Sequence, residues 1–173
     1  MASMTTIERT MPPLDAPERE TLEGWLDYYR STLLLICDGA GPEALRQRPV
    51  EPSELSLQGL VQHLSEVERH WTGRILAGED LSPLYSGGRT PQGHDGGFQV
   101  DPATSFATAV ETWEAEVAAA RTRCAERDLS DTASFMGTRV SLRWIFSHMI
   151  AEYARHCGHA DILRERIDGT TGI

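Results

Sequence analysis

The sequence contains no lysine and no asparagine, and all 16 of its basic residues are arginine. The absence of lysine excludes two kinds of enzyme site, the Schiff-base lysine and the phosphate-binding lysine of a P-loop. We interpret the bias as the codon usage of a GC-rich genome. Cysteine is also rare, with Cys37, Cys124 and Cys157 far apart and no C-x-x-C pair. This pattern excludes a disulfide framework, and we expect free thiols that fill small apolar spaces.

Positive charge is in the minority, because 16 basic residues stand against 26 acidic ones and the formal net charge is -10. Such a protein lacks the basic surface that nucleic-acid binding requires, so we expect no nucleic-acid partner. The sequence also lacks an apolar run of about 18 residues and a basic leader followed by an apolar stretch. We therefore expect no membrane partner and no signal peptide, and we predict a cytoplasmic protein.

The length of 173 residues suits one domain with a short extension. We interpret residues 1–14, which end near Pro12 and Pro13, as a flexible N-terminal lead-in, and residues 15–169 as a single domain. Apolar residues in this domain recur at three-and-four spacing in four segments, which predicts four amphipathic helices. The predicted helices run from the N-cap Asp15 to Gly39, over 56–77, over 103–127, and over 141–167 with Gly169 as the stop.

The segments between these helices carry no alternating strand pattern of useful length. Residues 41–55 contain three prolines and are interpreted as a linker with one short helical turn, and residues 128–140 as a connection. Residues 78–100 are rich in glycine and predict a long crossover, with Tyr85 and Phe98 holding it against the helices. We expect this crossover to border the functional site. The fold class predicted is all-α, a four-helix bundle with its crossover between the second and third helices.

Five of the six histidines fall on the second and fourth predicted helices. At about 100° per residue, His156 projects into the apolar arc of the fourth helix, and Glu152 lies one turn earlier on the same strip. His63 lies just outside the apolar arc of the second helix. Two imidazoles and one carboxylate can hold a divalent metal with one coordination position open. The same spacing also fits a hydrogen-bonded core histidine and a simple Glu–His contact, so spacing alone leaves these interpretations open.

Two longer sequence segments favour the metal site over the other two interpretations. LVQHLSEVERHW on the second helix and HMIAEYARHCGHADILRERIDG on the fourth resemble the DinB-like (YfiT-like) superfamily of metal-dependent enzymes. They look most like its actinobacterial branch of unknown function, sometimes labelled mini-circle protein, and the resemblance covers residues 15–169. It implies an up-down-down-up order of the four helices, with the Gly-rich segment as the crossover.

The resemblance also implies a ligand set. His63 matches the family's ligand from the second helix, and His156 matches the second of its two ligands on the fourth. Glu152 falls where many members have histidine and where the related mycothiol-dependent maleylpyruvate isomerases have glutamate. His148 is the main rival ligand. His159 stands where many members carry glutamine, and we expect it beside the ligands.

Other polar residues are assigned by weaker arguments. Glu68 lies within the apolar arc of the second helix, where a carboxylate needs a partner, and we expect it beside the ligands as well. Arg143, Arg155 and Arg69 are candidates to hold anionic groups of a cofactor, although each also fits a surface arginine.

No residue is assigned as the catalytic group. Cys157 follows His156 directly, but it points about 100° away and is expected in the core. His70 and His94 are expected at the surface, the second within the Gly-rich segment.

From these residues and the resemblance we expect a divalent-metal-dependent enzyme that acts with a low-molecular-weight thiol of the mycothiol type. It would be an S-transferase or isomerase with a small electrophile as substrate. Zinc is the favoured metal, while nickel, manganese and iron remain open. The alternatives are a metal-dependent hydrolase and a non-catalytic protein that binds a metal or a small molecule. Relatives are often dimers, so a homodimer is expected.

Overall fold

The computed structural model describes residues 7–85 and 96–171, and within these ranges the chain is mostly helical. A π-helical segment, Arg69–Leu76, continues the second long helix without a break. None of the helices in the described ranges has the length and apolar character needed to cross a membrane. The elements in chain order are α1 (Glu18–Cys37), α2 (Pro42–Arg46), α3 (Leu57–Glu68), α4 (Phe106–Ala125), β1 (Thr132–Phe135), β2 (Thr138–Ser141) and α5 (Leu142–Asp168).

The apolar stripes of the long helices form one hydrophobic core. α1 packs against α5, and α3 packs against both α4 and α5. The side chains completely excluded from solvent include Leu33, Ile36, Leu60, Leu64, Ile145 and Met149. This packing presses α3 against α5, and these two helices carry the three predicted metal ligands.

Two helix boundaries are close to those predicted. α5 begins after Ser141, whose side chain accepts a hydrogen bond from the backbone N–H of Trp144. It ends at Gly169, which has a left-handed backbone with φ of 79°, as a helix stop requires. The prediction for the start of α4 is three residues too early, because Ser105 caps the backbone N–H of Thr108 there.

The predicted N-cap of α1 is wrong. Asp15 does not cap the helix, which begins at Glu18 with Pro17 before it and no side-chain cap. Pro17 has an extended backbone with ψ of 149°, so the first helical residue is Glu18.

The second predicted helix has the expected extent, but its last turns are wider than an α-helix. From Arg69 the hydrogen-bond pattern is that of a π-helix, and the N–H of Ala77 bonds to the carbonyl of Thr72, five residues earlier. The hydroxyl of Thr72 also donates to the carbonyl of Glu68 at 2.7 Å. Apolar periodicity does not distinguish such a widened turn from an ordinary one, and π-helical turns often occur at functional sites.

The segment 128–140 is not a plain connection. β1 and β2 form an antiparallel hairpin in which Phe135 pairs with Thr138 and Thr132 with Ser141. Both turn residues, Met136 and Gly137, have positive φ, which matches the twist of a two-residue hairpin. The signal is weak in the sequence because the turn is Met-Gly rather than Asn-Gly or Asp-Gly, and each strand has only four residues.

Candidate metal centre

The structure brings together the three predicted ligands, His63 from α3 and Glu152 and His156 from α5. One donor atom from each side chain lies within 4.8 Å of the other two. Oε2 of Glu152 lies 3.5 Å from Nε2 of His156 and 3.8 Å from Nε2 of His63. Donors about 2.0–2.2 Å from one tetrahedral zinc ion lie roughly 3.3–3.6 Å apart. The two separations that involve Glu152 are therefore within a few tenths of an ångström of those around a single ion, and no pair of the three donors is more than 4.8 Å apart.

Helix geometry explains why two of the ligands come from α5. Glu152 and His156 are four residues apart and lie on the same face of the helix, as the sequence predicted. His156 lies deeper, with its side chain 8% exposed against 23% for Glu152. The group is therefore closed on the core side and open on the side of the carboxylate.

His63 is oriented by a backbone carbonyl. Its Nδ1 lies 2.8 Å from the carbonyl oxygen of Gly96. Because a carbonyl only accepts, Nδ1 carries a proton here, and Nε2 is the ring nitrogen that faces Glu152. Phe98 stacks on a face of the same ring, with centroids 4.1 Å apart and planes 16° from parallel. Metal-binding histidines are commonly oriented by a hydrogen bond from the second ring nitrogen in this way.

The segment that supplies this carbonyl is held tightly against α3. Gly97 has a φ of 92°, and a Cβ there would lie 2.9 Å from the backbone of Gln62 and His63. In the amide orientation that satisfies its neighbours, Gln62 donates to the carbonyls of Gly97 and Gln99. Sequence reasoning named Phe98 as a contact of the crossover but missed the two glycines before it. Their signal was a Gly-Gly pair directly before an aromatic residue.

The centre is electrostatically prepared for a cation. The facing His63 imidazole lowers the pKa of Glu152, and His156 and His148 lower it further. Burial lowers the pKa of His156 to about 4, with the neighbouring His63 acting in the same direction. At neutral pH the group therefore offers one carboxylate and a neutral His156 imidazole, which is the form that binds metals.

The two other histidines assigned to this region contact the ligands from different sides. Nε2 of His148 lies 3.7 Å from Oε1 of Glu152, the oxygen opposite to the one that faces His63 and His156. Nδ1 of His159 lies 3.2 Å from Nδ1 of His156. His148 is thus placed against the carboxylate, and His159 against the far nitrogen of a ligand.

Glu68 lies elsewhere than expected. It is completely buried and forms a two-pronged ion pair with Arg30 of α1. Its Oε1 also accepts a hydrogen bond from the hydroxyl of Tyr153, which in turn accepts one from Trp113. The need for a partner was predicted correctly, but that partner is an arginine of the core and not a histidine of the centre.

The arginines proposed as anion-binding groups have other partners or face solvent. Arg143 forms an exposed ion pair with Glu18, and Arg69 pairs with Glu116. Arg155 is exposed beside His156, where its charge contributes to the low pKa of that histidine.

The remaining predictions concern residues outside the ligand group. The Sγ of Cys157 is directed towards the carbonyl of Tyr29, in agreement with a place in the core. His70 lies edge-on against Trp71. His94 and most of the central Gly-rich stretch, residues 86–95, lie outside the described residues.

Comparison with known proteins adds a family. The model of the family described as Mycothiol-S-transferase matches residues 21–169. Among curated proteins, no significant match was found.

Proposed function

Because the chain belongs to the Mycothiol-S-transferase family, we propose that it is a divalent-metal-dependent S-transferase. In this reaction the thiol of mycothiol loses its proton to solvent, and its sulfur forms a bond to an electrophilic carbon. The leaving group departs from that carbon with the electron pair of the broken bond. The small electrophile is the second substrate.

The convergence of His63, Glu152 and His156 is the observation that carries this proposal. Two imidazoles and one carboxylate with a side open to solvent correspond to a catalytic rather than a closed structural zinc site. A bound divalent ion would lower the pKa of a neighbouring thiol and so favour its nucleophilic form at neutral pH. Zinc fits this donor set best, and nickel, manganese and iron are the other candidates.

The protein's own thiols do not fit the part of the nucleophile. Cys37, Cys124 and Cys157 are all buried. Burial raises the pKa of Cys37 and of Cys157 to about 12 and that of Cys124 to about 11. Thiols of this kind remain protonated and unreactive at neutral pH. This supports a reaction in which the sulfur comes from a second molecule.

The residues around the centre have distinct tasks in this proposal. His63 and His156 would hold the ion through their ring nitrogens, and the carbonyl of Gly96 keeps the His63 ring in place. Glu152 supplies the negative charge, while His148 contacts its second oxygen and limits its rotation.

The first test measures metal content and thiol transfer on the same samples. Purified protein is analysed for metal by mass spectrometry and assayed for consumption of mycothiol in the presence of an alkyl halide. His156→Ala should lose the metal and the thiol consumption together. His70→Ala is the matched control for the metal content, which it should leave unchanged, because this histidine on the same chain segment as His63 lies outside the donor group. Metal-free wild-type protein with full transferase activity would contradict the proposal.

The second test uses a conservative ligand change. Glu152→His should retain the metal with altered preference, since the resemblance to the DinB-like superfamily implies histidine at this position in many members, whereas Glu152→Ala should bind it more weakly. Ester or amide hydrolysis without any thiol would instead identify a hydrolase. Metal binding with neither reaction would support the non-catalytic alternative, a protein that binds a metal or a small molecule.

The proposal includes the arrangement of the whole chain. We propose that α1, α3, α4 and α5 form an up-down-down-up bundle within a single domain at 15–169, preceded by a lead-in at 1–14. The packing of α1 on α5 and of α3 on α4 and α5 supports this order. The long link between the π-helical segment and α4 is long enough to serve as the crossover. A homodimer in the cytoplasm remains part of the proposal, and sedimentation velocity tests the dimer.

A further inference from the structure

Four rings lie in contact beside the candidate metal centre, and we call them the aromatic shelf: Trp71, Phe135, Trp144 and His148. Trp144 stacks on His148 with centroids 4.9 Å apart and planes only 7° from parallel. Trp71 touches the other three rings at centroid distances of 4.6, 5.0 and 5.2 Å.

Three separate elements build this shelf. Trp71 lies in the π-helical segment, Phe135 ends the first strand of the hairpin, and Trp144 and His148 lie one turn apart on α5. The hairpin and the π-helical segment were both unexpected from the sequence, and both contribute a ring here. Their convergence makes the shelf a feature of the tertiary structure.

The shelf is continuous with the donor group. His148 is its inner member, and its Nε2 lies 3.7 Å from Oε1 of Glu152. Trp71 and His63 line the same cavity of about 250 Å³. A molecule resting on these rings therefore has one end beside the carboxylate of Glu152.

The outer part of the shelf is open. Trp144 is 46% exposed, and Met136 in the turn of the hairpin is 87% exposed. Trp144 and Phe135 also line a second cavity of about 410 Å³ at the hairpin. The cation lining this cavity, Arg139, already donates to Thr132. Within the described residues no acidic side chain lines it, and its two aromatic rings suit a planar aromatic group.

We propose that the aromatic shelf binds the planar, aromatic part of the electrophile and directs its reactive carbon towards the centre. This inference rests on the proposed function and specifies the substrate class of that site: aromatic rather than small aliphatic electrophiles. Trp144 is the specificity-determining residue, because it offers the largest exposed ring and adjoins a ring that contacts Glu152.

Two α-bromoketones with the same reactive group test this class. Phenacyl bromide carries a phenyl ring where bromoacetone carries a methyl group, and both lose bromide when the mycothiol sulfur bonds to their CH₂ carbon. Trp144→Ala should lower kcat/KM for phenacyl bromide by roughly tenfold or more, through a higher KM, and change that for bromoacetone less than twofold. Trp144→Phe should restore most of the wild-type preference in kcat/KM for phenacyl bromide over bromoacetone.

Trp25→Ala is the matched control. Trp25 is also a partly exposed tryptophan, 38% exposed, and it stacks on Tyr29 of α1. This variant should change kcat/KM for neither bromoketone. Equal losses for both bromoketones in Trp144→Ala would overturn the inference and leave the proposed transferase reaction intact.

A binding measurement separates the shelf from the reaction. Acetophenone has the ring and the ketone but no leaving group, and it should shift the indole N–H resonance of Trp144 in the wild-type protein. If acetophenone binds through Trp144 while no electrophile consumes mycothiol, the proposed function is wrong and the inference that the shelf binds an aromatic group is supported. Absence of acetophenone binding would overturn that inference. A dimer that becomes monomeric in Trp144→Ala would also overturn it, because this face would then be an interface between two copies.

Discussion

His156 combines almost complete burial with a ring that must stay neutral to bind a metal. Its side chain lies between Glu152 and His159 and is 8% exposed. Burial lowers its pKa to about 4, from an ordinary value of 6.5. The unfolded chain therefore binds a proton at His156 between pH 6.5 and pH 4, while the folded chain does not. Within this window acid favours the unfolded state.

This predicts a pH dependence of stability in protein freed of metal by a chelator. The contribution of the neutral His156 ring to the free energy of unfolding is fully present above pH 6.5 and is lost as the pH falls towards 4. The lowered pKa corresponds to a loss of up to about 3 kcal/mol in the free energy of unfolding. Urea denaturation at a series of pH values measures it.

The control for this prediction is His156→Gln, which cannot take up the proton. Its free energy of unfolding should vary much less between pH 6.5 and pH 4 than that of the wild type. The pKa of Glu152 is lowered below its usual 4.5. The decrease in the free energy of unfolding that protonation of Glu152 causes therefore occurs at lower pH than the decrease due to His156. Equal pH dependence in the wild type and the variant would show that His156 titrates normally.

At the scale of elements, the segment that follows the Gly-rich stretch shapes the centre through its backbone. Gly97 has a φ of 92° and lies where a Cβ would come within 2.9 Å of α3, and Gly96 supplies the carbonyl that orients His63. Glycine is required here both for the backbone conformation and for the close approach.

We predict that Gly97→Ala both weakens metal binding and lowers the free energy of unfolding. The added methyl group would push the segment away from α3 and lengthen the hydrogen bond from Nδ1 of His63 to the carbonyl of Gly96. Strain at such a φ also costs roughly 1–3 kcal/mol. Metal affinity by competition with a chelator and thermal denaturation measure the two effects.

Gly158→Ala provides the comparison. Gly158 lies on α5 between Cys157 and His159, and a Cβ there would meet no atom within 4 Å. Alanine in this helix should stabilise it slightly and leave the metal affinity unchanged. If both variants bound metal as the wild type does, the carbonyl of Gly96 would have no role in orienting His63.

A second prediction at this scale concerns the buried ion pair that joins α1 to α3. Arg30 and Glu68 are 7% and 0% exposed, and Tyr153 of α5 donates to the same carboxylate. Glu68→Ala leaves Arg30 buried without its main partner and should lower the free energy of unfolding by about 3–5 kcal/mol. The double change Arg30→Met and Glu68→Met should recover most of this loss, because it removes both charges.

Chemical denaturation distinguishes this pair from an exposed one. Arg143→Ala, which breaks only the exposed pair with Glu18, should change the stability very little. A double variant as unstable as Glu68→Ala would mean that the charges are not the cause of the loss.

At the scale of the whole molecule, the proposed ion would link α3 to α5 across the core. Binding to the folded state alone stabilises it by about 2.7 kcal/mol when the free metal is at 100 times its Kd. For a chain of this length, this corresponds to a rise in Tm of about 5–10 °C. A chelator should therefore lower the Tm of the wild type, as measured by differential scanning calorimetry.

His156→Ala should make the Tm insensitive to the chelator. Equal Tm values for wild type with and without the chelator, in protein shown to bind zinc, would contradict a site that joins the two helices. An equal chelator effect in both proteins would point to a metal bound elsewhere.

The local features of this protein follow from its sequence alone. The helical segments, the stop of α5 at Gly169 and the shared face of Glu152 and His156 depend on periodicity and spacing over a few residues. Such signals are contained in neighbouring positions of the chain, and the long helices were predicted for this reason. The resemblance of the two helix strings added the family, which the match over residues 21–169 confirms.

The remaining features were decided by the tertiary structure. Spacing could not show that Glu68 would pair with Arg30 rather than a histidine, because these residues are 38 positions apart. Nor could it show the carbonyl of Gly96 at His63, or Trp71 against Phe135. These contacts depend on how helices and loops distant in sequence pack together, and the free energy of that packing is shared among many residues. No short stretch of the chain records it.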